Sequence, residues 1–134
     1  MYTVDYFTQM TTENMQHILV VDDDWLNHEL MESILTLYGF GVIQAHNGEQ
    51  ALEIAKRDLP DLIMLDVRMP GMDGLEICKR LRAEPTTKSI PIIMLTGQER
   101  NNQEKSQALS MGANAFISRM LMPDEIVAQI RALI

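Results

Sequence analysis

Five short apolar runs punctuate the chain: Ile18 to Val21, Val42 to Ala45, Leu62 to Leu65, Ile90 to Leu95 and Ala115 to Ser118. None alternates strictly between apolar and polar residues, which is the mark of strands buried on both faces, as in a parallel sheet covered by helices. Between the runs lie stretches of helical period. Leu30, Ile34, Leu37 and Tyr38 make one apolar face opposite Glu29, Glu32, Ser33 and Thr36, and Gly39 follows as a C-terminal cap. Ala51, Leu52, Ala55 and Leu59 mark a second helix that must stop before Pro60, and Leu75, Ile77, Cys78 and Leu81 mark a third. A fourth, roughly Asn102 to Met111, is almost wholly polar in its first half and is expected to pack loosely. Ile126, Ile130, Leu133 and Ile134 define the last, after Pro123 and Asp124, which suit a helix start. Strand and helix alternating five times predict one α/β domain over residues 17–134, preceded by a flexible extension over 1–16.

Charge and composition narrow what such a domain does. A formal net charge of −8 argues against direct nucleic-acid binding, which relies on Lys and Arg neutralising phosphates. No segment reaches the apolar length of a membrane span. The first 17 residues carry Asp5 and Glu13 but no Lys, Arg or long apolar stretch, so they do not read as a secretory signal, and a cytoplasmic protein is expected. The single cysteine excludes an internal disulfide, and its apolar helix face makes Cys78 a core residue before a nucleophile.

Three of the apolar runs end abruptly in polar groups, at Asp22-Asp23-Asp24, at Asp66 and at Thr96-Gly97. In a parallel sheet these ends meet at one edge, where open α/β folds bind ligands. Asp22, Asp23 and Asp66 would repel one another there, and a divalent cation relieves the repulsion. Hard oxygen donors favour Mg²⁺, which accepts one or two carboxylates, keeps waters and takes a phosphate oxygen. The plainer reading, that the first three acids only cap the next helix, suits Asp24 but leaves Asp66 unexplained. An EF-hand reading fails because Asn27 and Ser33 stand where Gly and Glu are needed. His17, His28 and His46 fall at a strand start, on a helix and in a turn, where solvated or helix-surface roles suffice; an autonomous hydrolase therefore lacks an acid/base partner.

Ile18-Leu19-Val20-Val21-Asp22-Asp23-Asp24, Asn47-Gly48-Glu49-Gln50-Ala51-Leu52, Asp61-Leu62-Ile63-Met64-Leu65-Asp66, Met69-Pro70-Gly71-Met72-Asp73-Gly74, Pro91-Ile92-Ile93-Met94-Leu95-Thr96 and Met111-Gly112-Ala113 occur in order. Together they resemble the receiver domain of two-component response regulators, over Gln16 to Ile134. The resemblance implies a doubly wound, flavodoxin-like (βα)5 sheet of strand order 2-1-3-4-5. It implies that Asp66 accepts a phosphoryl group from a histidine kinase or phosphotransfer protein. Mg²⁺ would be held by Asp23, Asp66 and the backbone carbonyl of Arg68, with Asp22 acting mostly through bound water. Thr96 would bond the phosphoryl oxygen, and Phe116, otherwise a packing residue, would take the place of the aromatic switch. Output would pass to a downstream target protein through the fourth helix, fifth strand and fifth helix of a monomer or weak dimer. The protein would be a phosphoacceptor switch, not an enzyme beyond self-phosphorylation and autodephosphorylation.

One segment departs from the family. Receivers usually carry Lys-Pro after the fifth strand, joined by a cis peptide; this chain has Arg119-Met120. Arg keeps the charge with a longer planar head, and a non-proline cis bond costs about 2.5–4 kcal/mol, so a trans bond and a differently shaped loop are expected. Gly97, where Ala is common, adds local freedom. Arg119 is expected to meet the phosphoryl group only in the modified state. Two readings stand: a phosphorylatable receiver, and a pseudo-receiver that binds partners without a phosphoryl signal.

Overall fold

The computed structural model describes residues 15–97 and 102–134. Of the expected extension, residues 1–14 lie outside this range. Gln16, assigned to it, already joins the sheet, its carbonyl accepting from Gly41 N–H at 2.9 Å.

The chain alternates β1 (His17–Val21), α1 (Trp25–Leu37), β2 (Gly41–Ala45), α2 (Gly48–Asp58), β3 (Leu62–Asp66), α3 (Gly74–Ala83), β4 (Ile92–Thr96), α4 (Asn102–Ser110), β5 (Ala115–Ser118) and α5 (Pro123–Arg131). The strands form one sheet of order β2-β1-β3-β4-β5, every pair parallel. Each inner strand feeds two cores. Leu19, Val21, Ile63, Leu65, Ile92 and Met94 pack toward α2, α3 and α4, while Ile18, Val20, Leu62, Met64, Ile93 and Leu95 pack toward α1 and α5. Period-two geometry thus splits an unbroken apolar run between two faces, which is why the runs show no alternation. The fourth run starts at Ile92 rather than Ile90. Pro91 has no N–H to give the ladder, although its carbonyl still accepts from Ile63 N–H at 2.9 Å.

The first helix buries a different face from the one its leucines suggest. His28, Met31 and Leu35 face the sheet, while Leu30 and Leu37 are 56% and 81% exposed. Ile34 and Tyr38 flank the buried stripe. At its end Gly39 takes φ +90°, and Phe40 N–H bonds the Leu35 carbonyl at 3.0 Å, turning the chain so that Phe40 enters the core. The second helix stops at Asp58, before Pro60 as expected, but Leu59 caps it in the left-handed region and is exposed instead of packed. In α4 only Ala108 is buried, consistent with its polar sequence. Cys78 is fully buried, its thiol pushed up by burial and its Sγ 3.4 Å from the Met111 carbonyl.

Candidate active site

The C-terminal ends of β1, β3 and β4 bring the predicted polar groups to one edge. After β1, Asp22 is 3% exposed and its backbone N–H extends the ladder to the Ala45 carbonyl at 3.1 Å. Its Oδ1 accepts from Asp24 N–H at 2.9 Å, which leaves Oδ2 facing the site. Asp24 caps α1, accepting from the N–H groups of Leu26 and Asn27 at 2.8 and 3.3 Å. Three adjacent acids therefore divide their work: one buried and aimed inward, one exposed beside it, one spent on the helix.

Asp66 ends β3 and is 8% exposed. The loop behind it is built around Gly74, where a Cβ would collide with the Asp66 carbonyl, and Gly74 N–H bonds the Val67 carbonyl at 3.0 Å. Asp73 then caps α3 through Glu76 N–H at 2.9 Å. The Met-Pro-Gly-Met-Asp-Gly segment thus presses the start of α3 against the back of Asp66. Carboxylate oxygens of Asp22, Asp23 and Asp66 lie within 4.8 Å of one another, an all-oxygen donor set of the kind Mg²⁺ accepts.

Arg119 crosses this cluster. The peptide after it is trans, as expected, and its N–H bonds the Thr96 carbonyl at 2.8 Å. Its Nη2 lies 3.0 Å from Asp66 Oδ1 and 3.3 Å from Asp22 Oδ2. Arg119, expected to meet a phosphoryl group in the modified state, is already engaged in the unmodified site, because two buried carboxylates supply negative charge there. Burial pushes the Asp66 carboxyl above its usual range. The charge on Arg119 offsets part of that rise, Asp22 adds to it, and hydrogen bonds from Arg119 and Arg68 N–H pull it back.

Thr96, at the end of β4, is 5% exposed, and its Oγ1 lies 3.4 Å from Oε1 of Glu104 on α4. The other oxygen of Glu104 pairs with the Arg68 guanidinium at 3.2 Å. The backbone of Arg68 stays at the site, its N–H donating to Asp66 Oδ1 at 3.3 Å. Phe116, across the ladder from Met94, is half-buried against the core that lies under α2, α3 and α4.

Two residues of this edge escaped the sequence reading. Glu104 sits in a stretch whose polarity suggested only solvation. His28, expected on the helix surface, is 1% exposed, and its Nε2 lies 2.6 Å from the Asp22 carbonyl and 3.0 Å from that of Ala45. Two carbonyls on one nitrogen require that Nε2 carry the proton and donate. His28 therefore ties the ends of β1 and β2 to α1, directly behind Asp22. Its Nδ1 has no hydrogen-bond partner among the described residues, and the His46 ring meets it edge-on with centroids 4.6 Å apart. A signal for it existed: positions 28, 31, 35 and 38 form as good a helical stripe as the leucines.

Residues 18–131 match the family profile described as the response regulator receiver domain. The chain is 41% identical over 116 residues to the response regulator PleD of Caulobacter vibrioides, covering 87% of this chain and 25% of PleD. A crystallised Chloroflexus aurantiacus protein described as a response regulator superposes with a TM-score of 0.84 at 37% identity, covering 89% of this chain and 97% of that one. The chemotaxis protein CheY4 of Vibrio cholerae gives 0.84 at 28%, covering 90% and 99%. The chain spans a quarter of PleD and about half of other curated relatives it matches.

Proposed function

Since the chain belongs to the response regulator receiver domain family, aspartyl phosphoacceptors of two-component signalling, we propose that Asp66 is its phosphoacceptor and that Arg119, Thr96 and Phe116 report the modification. The observation that carries this reading is the position of Asp66: nearly buried, at a strand end, with Asp22 and Asp23 on one side and a guanidinium 3.0 Å away. A carboxylate oxygen of Asp66 attacks phosphorus, the phosphorus–nitrogen bond of a phosphohistidine breaks, and the imidazole leaves. The donor is a histidine kinase or phosphotransfer protein. Asp22, Asp23, Asp66 and the Arg68 carbonyl would hold Mg²⁺, which supplies positive charge to the phosphoryl oxygens.

Arg119 then exchanges one anionic partner for another. In the resting site it balances carboxylates; after modification the same guanidinium reaches phosphoryl oxygens, and its planar head suits two-point contact. Thr96 Oγ1 has Glu104 as neighbour in the resting site, so turning toward a phosphoryl oxygen shifts a contact made by α4. That couples Asp66 to the α4-β5-α5 surface, proposed here as the face that meets the downstream target, in a monomer or weak dimer. Residues 17–134 form the receiver unit in this reading and 1–16 an extension.

The test is mass spectrometry after incubation with a small-molecule phosphodonor and Mg²⁺. Wild type is expected to gain one phosphoryl group and Asp66→Asn none; a labelled Asp66→Asn protein would move the acceptor elsewhere. The engaged Arg119 favours a second reading, a pseudo-receiver whose site is closed by its own ion pair. Equal partner binding by wild type, phosphorylated wild type and Asp66→Asn would decide for it.

A further inference from the structure

His28 is buried at the acid edge yet has no part in the chemistry proposed above. Its Nε2–H is shared between the Asp22 carbonyl at 2.6 Å and the Ala45 carbonyl at 3.0 Å. The same Ala45 carbonyl accepts from Asp22 N–H at 3.1 Å, and Asp22 Oδ1 accepts from Asp24 N–H at 2.9 Å. Asp22 is thus held at its amide, its carbonyl and one carboxylate oxygen, and Oδ2 is the oxygen turned to the site. Of these three holds, only the one on the carbonyl comes from a side chain. That carbonyl belongs to the peptide leading into Asp23, and because the peptide unit is planar, fixing it sets the direction in which Asp23 leaves the strand. Nδ1 has no partner among the described residues, so the ring's hydrogen bonding is spent wholly on the two carbonyls.

We propose that His28 is a positioning residue of the acid site: its Nε2–H pins the Asp22–Asp23 peptide to the end of β2, and the affinity for Mg²⁺ depends on a donor at that point. This rests on the reading that Asp22, Asp23 and Asp66 hold Mg²⁺. Without a cation the carboxylates of Asp22 and Asp23 repel each other and those of Asp66, and a peptide free to turn lets them spread. The bridge from α1 resists that spreading. Mg²⁺ takes near-octahedral oxygens at about 2.0–2.1 Å, so a small displacement of either acid is felt as lost affinity. Groups that stand behind metal ligands commonly control affinity by about 10–100-fold. Asp66 comes from β3, and His28 makes no hydrogen bond to it, so His28 is needed for holding the cation and not for the attack of Asp66 on phosphorus.

The test compares wild type, His28→Gln, His28→Asn and His28→Phe by Mg²⁺ calorimetry and by the rate of phosphoryl uptake from acetyl phosphate across Mg²⁺ concentrations, with urea unfolding to verify that each is folded under assay conditions. Gln carries its amide donor one carbon further out than Asn and so reaches the place of Nε2; Asn and Phe put no donor there. His28→Phe and His28→Asn are expected to raise the Mg²⁺ dissociation constant about tenfold, and His28→Gln by less than about threefold. At saturating Mg²⁺ the uptake rates of all four proteins should agree within about twofold, the pattern of lost binding rather than lost chemistry. Should His28→Phe not fold, the Gln and Asn pair carries the comparison. If His28→Asn binds Mg²⁺ as wild type does, or His28→Gln binds as weakly as His28→Asn, the positioning role is wrong. Uptake reduced equally at every Mg²⁺ concentration would make His28 a support of the fold alone and overturn it too. If wild type binds Mg²⁺ but takes no label, the phosphoacceptor reading falls while the binding constants still decide this inference. If wild type binds no Mg²⁺, this inference falls with the metal reading.

Discussion

Asp66 holds its charge at some cost to the fold. Its carboxyl sits above the usual range because burial outweighs the help of Arg119, so the ionised form destabilises the native state. With a raised folded value, that cost is fully present above it, fades as pH falls through it, and is gone once the unfolded chain is protonated too, near pH 3–4 for an ordinary Asp of about 3.9. Asp66→Asn should therefore melt a few degrees above wild type at neutral pH without Mg²⁺, and denaturation series should show the gap closing toward about pH 4. A widening gap on acidification would reverse the sign of this argument. His28 presents the opposite case, a polar group whose removal costs more than its presence. His28→Phe keeps a ring in the space but strands the carbonyl of Asp22, at about 1–3 kcal/mol for a buried group left unpaired, while that of Ala45 keeps the Asp22 N–H. Urea unfolding should register that loss, with His28→Gln recovering part of it through its amide donor.

At the scale of elements, one side chain holds three segments together. Arg82, near the end of α3, donates to the carbonyls of Gly112, Lys88 and Ile90 at 2.9, 3.0 and 2.7 Å and to Asn114 Oδ1 at 2.9 Å. Asn114 Oδ1 also accepts from Ile92 N–H at 2.9 Å, so the guanidinium fixes the start of β4 and the approach to β5 together. Gly112, at φ +107°, leaves room for it: a Cβ there would lie 2.8 Å from Arg82 Cγ. Arg82→Ala is expected to cost about 2–4 kcal/mol, as several charge-assisted bonds to half-buried acceptors are lost at once. Arg82→Lys should recover little, since one ammonium does not reproduce the fork. Chemical denaturation measures both. By contrast α4 buries only Ala108 and meets the site edge through Glu104, a sparse packing that suits an element responding to Asp66.

At the scale of the molecule, the acid cluster and the fold share one free energy. Mg²⁺ that binds only the native state should raise the melting temperature, by about 2.7 kcal/mol of stability at a hundred times its dissociation constant. Thermal melts with and without Mg²⁺ are expected to show the rise in wild type and its loss in Asp66→Asn. A rise that survives the mutation would locate the ion elsewhere. Among the described residues no helix is long and apolar enough to cross a membrane. The sequence by itself determined the alternation of elements, the parallel sheet and the caps, because burial on two faces and left-handed or capping geometry leave their mark on residues adjacent in the chain. It also determined which strand ends carry Asp22, Asp23, Asp66 and Thr96, since each follows directly from where an apolar run stops. Tertiary structure alone decided which stripe of α1 is buried, for Leu30 and Met31 are equally apolar and only the sheet surface distinguishes them. It decided as well that Arg119 crosses Asp22 and Asp66, that His28 lies behind Asp22, and that Glu104 meets Thr96 and Arg68. Arg119 and Asp22 are 97 residues apart, Glu104 and Arg68 36, and His28 and Ala45 17, and a hydrogen bond or ion pair between strand ends depends on packing angles and side-chain reach that no local pattern encodes.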